Sequence, residues 1–119
     1  MAYGELVSTV PVDAPVVIWR RRAYRSRPLF AAGTEGIWWR RGGVFGGQVW
    51  RLPWSAIDRT TCDSSRLVFT ITKAATVSDP ALPAVIAVRL GDCRQYGRPL
   101  PDADIGSVLE RLSGGWVRG

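Results

Sequence analysis

PLFAAGTEGIWWRRGG, Pro28 to Gly43, reads as two short strands around a tight turn. PLFAAG is compact and apolar, and GTEG brings the glycines that a sharp reversal needs. IWWRR, Ile37 to Arg41, is β-branched, then aromatic, then cationic. The period of a strand puts Ile37, Trp39 and Arg41 on one face and Trp38 with Arg40 on the other. Ile37 marks the inward face, so Trp39 is the expected core residue, with Arg41 at the strand end where its head reaches water. Trp38 is expected on the outside.

The same pattern extends both ways. Upstream, VVIWRRRAY (Val16 to Tyr24) suits a strand, and SRP (Ser26 to Pro28) suits a turn. Residues 1–15, with Pro11 and Pro15, read as a leader whose order the sequence leaves open, ahead of one domain over 16–119. Downstream, GGVFGG (Gly42 to Gly47) is a hairpin connection. QVWRLPW (Gln48 to Trp54) is a strand that Pro53 should end or confine to an edge. SAIDRTTCD continues as a bent strand, and LVFTIT turns Leu67, Phe69 and Ile71 inward. TVSDPALP is expected as a loop, AVIAVRL (Ala84 to Leu90) as the last clear strand, and CRQYGRPLP as irregular chain.

After Pro101 the period changes. Ile105, Val108, Leu109 and Leu112 fall at i, i+3, i+4 and i+7, one face of a helix over about 102–113. Asp102 is placed to cap it, Asp104 to favour its positive end, and Gly114–Gly115 to stop it. Trp116 is expected to fold back onto the helix or the sheet. The fold class is therefore mainly β: a bent antiparallel sheet or small barrel of six to seven strands, with one C-terminal helix over an open end.

This order of elements resembles the bacterial pleckstrin-homology-like (PH-like, GRAM-like) domains. The residues that carry the resemblance are PLFAAGTEGIWWRRGG, RLPWSAI with its Trp54-Ser55-Ala56-Ile57 element, RLVFTI and DADIGSVLERL, so it spans roughly residues 16–113. It implies a domain that binds lipid, binds peptide or serves as a scaffold. Phosphoinositide-binding members carry basic residues on their first two strands. Arg25-Ser26-Arg27, with one of Arg20, Arg21 and Arg22 upstream, matches the end of that pattern.

Composition narrows the chemistry. The chain has 119 residues, the size of one domain, and is 46% hydrophobic, enough for a core without metal or disulfide. No apolar run approaches the ~20 residues of a membrane span. The start shows no charged n-region ahead of an apolar h-region, so a cytoplasmic location is expected, with contact at the periphery of a membrane left open. There is no histidine, which removes Ser–His and Cys–His nucleophile systems. Cys62 and Cys93 form no CxxC pair, so no Cys/His zinc site is expected, nor any cofactor. Both thiols are expected buried or half-buried, with a disulfide open only if their strands are adjacent. The acids fall mostly in turns or at the helix start, and there is no P-loop or GxGxxG. No enzyme is expected.

The net charge of +6 favours acidic partners. The candidate binding residues are Arg20, Arg21, Arg22, Arg25, Arg27, Trp38, Arg40, Arg41, Val44, Phe45 and Arg51. The arginines either meet phosphate or carboxylate, or keep strand edges soluble. Val44 and Phe45 form an apolar tip over Arg40, Arg41 and Arg51. The tip would suit an anionic membrane surface, a protein partner, or folding back onto the domain. A protein partner or homo-oligomer leads, and single-stranded nucleic acid stands behind it.

Overall fold

A computed structural model describes residues 4–19, 28–41, 48–63 and 65–117. The chain runs as β1 (Glu5–Val7), β2 (Val16–Trp19), β3 (Pro28–Ala32), β4 (Gly36–Arg40) and β5 (Val49–Pro53). A 3-10 turn at Trp54–Ala56 leads into β6 (Ile57–Cys62), β7 (Arg66–Ile71), α1 (Lys73–Ser78) and β8 (Val85–Arg89). Then come β9 (Asp92–Gln95), β10 (Arg98–Pro99), a 3-10 turn at Asp102–Asp104 and α2 (Ile105–Leu112).

The strands form two antiparallel sheets. One has seven strands in the order β1-β5-β4-β3-β2-β9-β10, the other three in the order β6-β7-β8. They are not closed into a barrel, so of the two expected forms the open, bent one is found. Pro53 ends β5, and the 3-10 turn that follows carries the chain from the larger sheet to the smaller. Trp54 anchors this corner: it is buried, and its indole N–H donates to the Gly33 carbonyl at 3.0 Å.

Alternation explains the core. Val16, Ile18, Phe30, Ala32, Ile37, Trp50 and Leu52 face inward from the larger sheet. Leu67, Phe69 and Ile71, as the LVFTIT pattern predicts, meet them from the smaller one together with Ile86 and Val88 of β8. Phe30 and Phe69 stack across the gap with centroids 5.4 Å apart, a pair worth about 1 kcal/mol beyond its burial. Helix α2 adds Ile105, Val108 and Leu109 to the same core.

The turn of the opening stretch has a steric reason for its second glycine. A Cβ on Gly36 would lie 1.9 Å from the Leu52 carbonyl oxygen, so β4 and β5 approach too closely for any side chain there. At the other end of the chain, Gly114 and Gly115 have φ of 66° and 87°. The Gly115 N–H donates to Glu110 O and the Gly114 N–H to Arg111 O, the paired bonds that stop a helix in the left-handed region.

The leader, whose order the sequence leaves open, contains β1, which pairs with β5 in register Glu5↔Arg51 to Val7↔Val49. Several expectations are corrected. Thr76 to Ser78, expected in the TVSDPALP loop, instead form the end of helix α1, for which Thr72 Oγ1 accepts the Ala75 N–H at 3.2 Å. CRQYGRPLP is not irregular: β9 and β10 form a hairpin through Tyr96 and Gly97, both with positive φ, as two-residue mirror-image turns require. Asp102 does not cap α2. Its 3-10 turn moves the helix start to Ile105, and no side-chain cap is made by Asp102 or Asp104.

Candidate binding surface

The outer face of the seven-stranded sheet can be built from register alone. Glu5, Arg51, Trp38, Ala31, Val17, Arg94 and Pro99 are successive cross-strand partners from β1 to β10. They form one continuous row across the sheet. Arg40 and Val49 belong to the neighbouring row, as do Trp19 and Asp92.

This face is not bare. Residues 8–15 run from β1, at one edge of the sheet, to β2, four strands away, and lie across the strands between them. Val10, 3% exposed, packs with Val17, Ala31 and Val49 into a second small core. Val7, Ala14, Trp19 and Trp38 border that core. Trp38 is therefore outside, as alternation predicts, but its own chain covers part of it. Trp39 is half-buried and packs against the main core, and Arg41 is exposed beyond the strand end.

The crossing strap leaves a cleft on each side. One, of about 350 Å³, is lined by Val12, Val17, Trp19, Asp92, Arg94 and Gly97. The other, of about 310 Å³, lies between strap residues Pro11 to Pro15 and the Gly33–Glu35 turn, with Trp38 in its wall. Each cleft thus has one tryptophan of the outer face; the first is rimmed by Asp92 and Arg94, the second by the carboxylates of Asp13 and Glu35.

The described arginines of this region have protein partners. Arg51 stacks over the Trp38 ring at 5.7 Å and reaches the carboxylates of Glu5, at 3.7 Å, and Glu35. The Arg94 Nε donates to Asp92 at 3.1 Å, and its guanidinium also donates to Gly97 O. Arg40 donates to Pro28 O, and Arg41 reaches Ala81 O at 3.5 Å. Two carboxylates around Arg51 cancel much of its pull on a polyanion while leaving the Trp38 edge and the cleft walls for contact. Of the sequence candidates, the structure brings together Trp38, Arg40 and Arg51 on this face and sets Arg41 at its margin. Arg20, Arg21, Arg22, Arg25, Arg27, Val44 and Phe45 lie outside the described residues.

Sequence reasoning missed Trp19, Arg94 and the strap residues Val10, Val12 and Asp13 as parts of this surface. Trp19 follows Ile18 in an apolar run, and only the pairing of β2 with β9 shows which face it takes. Val10 directly precedes Pro11 and belongs to no strand or helix pattern, so no sequence signal marks it as buried.

The thiols contribute no activated nucleophile. Cys93 is buried, and burial, followed by the nearby Asp102 charge, pushes it up to about 11. Cys62 is exposed, against expectation, because it ends the edge strand β6. Partial desolvation and the charges of Asp63 and Asp102 also raise its pKa. Both are free thiols. Among the described residues no group of three or more Cys, Asp or Glu side chains is placed to hold a metal ion. Among the described residues no helix is long and apolar enough to cross a membrane. Comparisons with protein-family models, with curated proteins and with solved structures return no match.

Proposed function

We propose that this chain is a PH-like binding module that carries no catalysis and works in the cytoplasm. It contacts a protein partner, or a copy of itself, through the Arg/Trp-rich outer face of the larger sheet and through free strand edges. Strands β2 to β8, with α1 inserted between β7 and β8, and the final helix α2 support this reading by their order. β1 and the β9–β10 hairpin stand outside that order. The observation that carries the reading is the pair of clefts beside the strap. Each joins a half-buried tryptophan to charged groups, of which Asp92, Arg94 and Glu35 are already paired, the composition of protein contact sites rather than of phosphate cradles.

The test is affinity capture from the native lysate, with and without nuclease, using wild type, Val12→Asp and Asp13→Arg. Both positions are exposed and line the clefts, so the fold should hold. One protein recovered by wild type in both conditions and lost with either variant supports the reading. Equal recovery by all three proteins removes the face from it.

A second reading is favoured by one observation: residues 20–27, between Trp19 and Pro28, contain five arginines. They suit anionic phospholipid headgroups or single-stranded nucleic acid. Sedimentation with anionic liposomes, comparing wild type with Phe45→Asp, tests the first. A gel shift with single-stranded oligonucleotides at low salt tests the second, since phosphate attraction is strongest there. Absence of both signals removes this reading.

A further inference from the structure

The two sheets have four outer strands, and three of them carry devices that block further pairing. β1 is three residues long. β10 is two residues long and contains Pro99. β6 has a register irregularity between Ile57 and Arg59, and the Trp116 indole N–H takes the Ile57 carbonyl at 2.8 Å. Short length, proline, bulges and covering side chains are the usual defences of a sheet edge.

Among the described residues β8 shows none of these, and its one outward charge is Arg89, the last residue of the strand. Its five residues pair with β7 in unbroken register, from Arg66↔Arg89 to Thr70↔Val85, and among the described residues no strand lies on its other side. The hydrogen-bond phase is fixed at both ends. The Ile71 N–H donates to Ala84 O and the Leu90 N–H to Ser65 O, both at 2.9 Å. Ala84, Ile86, Val88 and Leu90 therefore turn their backbone groups toward β7, and Val85, Ala87 and Arg89 turn theirs outward. The side chains of those three residues are exposed as well, Val85 to 53%.

We propose that the β8 edge is the docking site for a second copy of this chain, paired antiparallel about a two-fold axis at Ala87. In that register Ala87 faces Ala87 of the other copy and Val85 faces Arg89. Every outward N–H then meets a carbonyl, and the two three-stranded sheets join into one. The side chains are self-complementary too. Each Arg89, already beside Arg66 across β7, lays its stem against a valine instead of meeting another arginine. With +6 on each chain, long-range repulsion opposes the pairing, so salt strengthens it. An acidic peptide on the same edge would be weakened by salt. The proposal deepens the edge part of the function proposed above and does not involve the Arg/Trp face.

The experiment is sedimentation equilibrium of the full chain at low and high salt, with amide hydrogen exchange across a concentration series. Wild type should dimerise, more tightly at high salt, with Val85, Ala87 and Arg89 amides protected as dimer forms. Ala87→Pro removes one outward N–H and no β7 bond, and should abolish the dimer. Val85→Glu, opposite Arg89, should tighten the dimer about two- to fivefold, and Val85→Lys should weaken it as much. A lost fold cannot produce opposite effects at one position. A monomer under all conditions overturns the proposal, as does a dimer with these amides unprotected, equal behaviour of the two Val85 variants, or salt-weakened association. A monomer that still captures a protein in a Val12-sensitive way would leave the face reading intact.

Discussion

The Arg51 guanidinium lies 5.7 Å above the centre of the Trp38 ring, and both side chains belong to one cross-strand row. The pairing divides stability from recognition. Arg51 is solvent-exposed and its ion pairs to Glu5 and Glu35 are at the surface, where such pairs contribute about 0–1 kcal/mol. Arg51→Met should therefore change stability by less than about 1 kcal/mol. Trp38 borders the second core, and Trp38→Ala should cost roughly 2 kcal/mol, below the ~3–5 of a fully buried ring. Urea unfolding of the two variants reads the difference. Equal losses would mean that Trp38 gains little from the strap.

Two buried tryptophans should respond differently to loss of the indole N–H. Trp54 donates to Gly33 O, whereas the Trp50 Nε1 is buried without a partner among the described residues. Trp54→Phe leaves a buried carbonyl short of its donor and should cost about 1–3 kcal/mol more than Trp50→Phe, which also removes an unsatisfied group. Thermal or urea unfolding checks the order. The reverse order would contradict the hydrogen-bond assignment at the corner.

At the turn of the opening stretch, Gly36→Ala should destabilise by more than about 2 kcal/mol, because its Cβ collides with the backbone of Leu52. Gly33→Ala meets only Trp38 and Pro15 side chains at 3.5 Å and beyond, and should change stability by less than about 1 kcal/mol. Similar losses for both would argue against the close β4–β5 approach.

Thiol chemistry and pH follow from the same geometry. Near pH 8, Ellman's reagent should label Cys62 in the native chain and reach Cys93 only on unfolding. The folded pKa of Cys93 is raised from 9.0 to about 11, so its contribution to stability is intact below pH 9 and lost as pH climbs through about 11. On the acid side Asp63 acts in the opposite sense. Its Oδ1 accepts the Ser65 and Arg66 N–H groups at 2.8 Å, which lowers its pKa below the ordinary 3.8. Its contribution is present above that value and fades as pH falls through the lowered one. Asp63→Asn should flatten the acid limb of a stability–pH curve, and Cys93→Ala the alkaline limb. Unchanged limbs would remove these assignments.

Legibility in the sequence followed the strength of the pattern. Leu67, Phe69 and Ile71 alternate cleanly and are buried, and Ile105, Val108 and Leu109 keep helical spacing and are buried. The assignment of Trp38 and Trp39 to opposite faces also held, because period two leaves no alternative once Ile37 is core. What was hidden had little apolar signal of its own. β1 has three residues, only Cys93 of β9 is buried, and α1 is a six-residue helix announced by a single capping threonine. Those elements exist because neighbours pair with or cap them. The outer face was hidden for the same reason, since the row from Glu5 to Pro99 gathers one residue from each of seven strands spread along the sequence.

The strap also sets an order of events. β1 leaves the ribosome well ahead of its partner β5, which begins more than forty residues later. Until β5 is made, nothing in the larger sheet can anchor the near end of residues 8–15. Val17, Ala31 and Val49 are thus assembled into a sheet before their lid is fastened. The same long closure makes β1 and the strap the segment that unfastens with the least disturbance to the two sheets. In native-state hydrogen exchange the amides of Leu6 and Val7 should open well before those of Phe30 or Phe69. Simultaneous opening would mean that the lid and the domain form one cooperative unit.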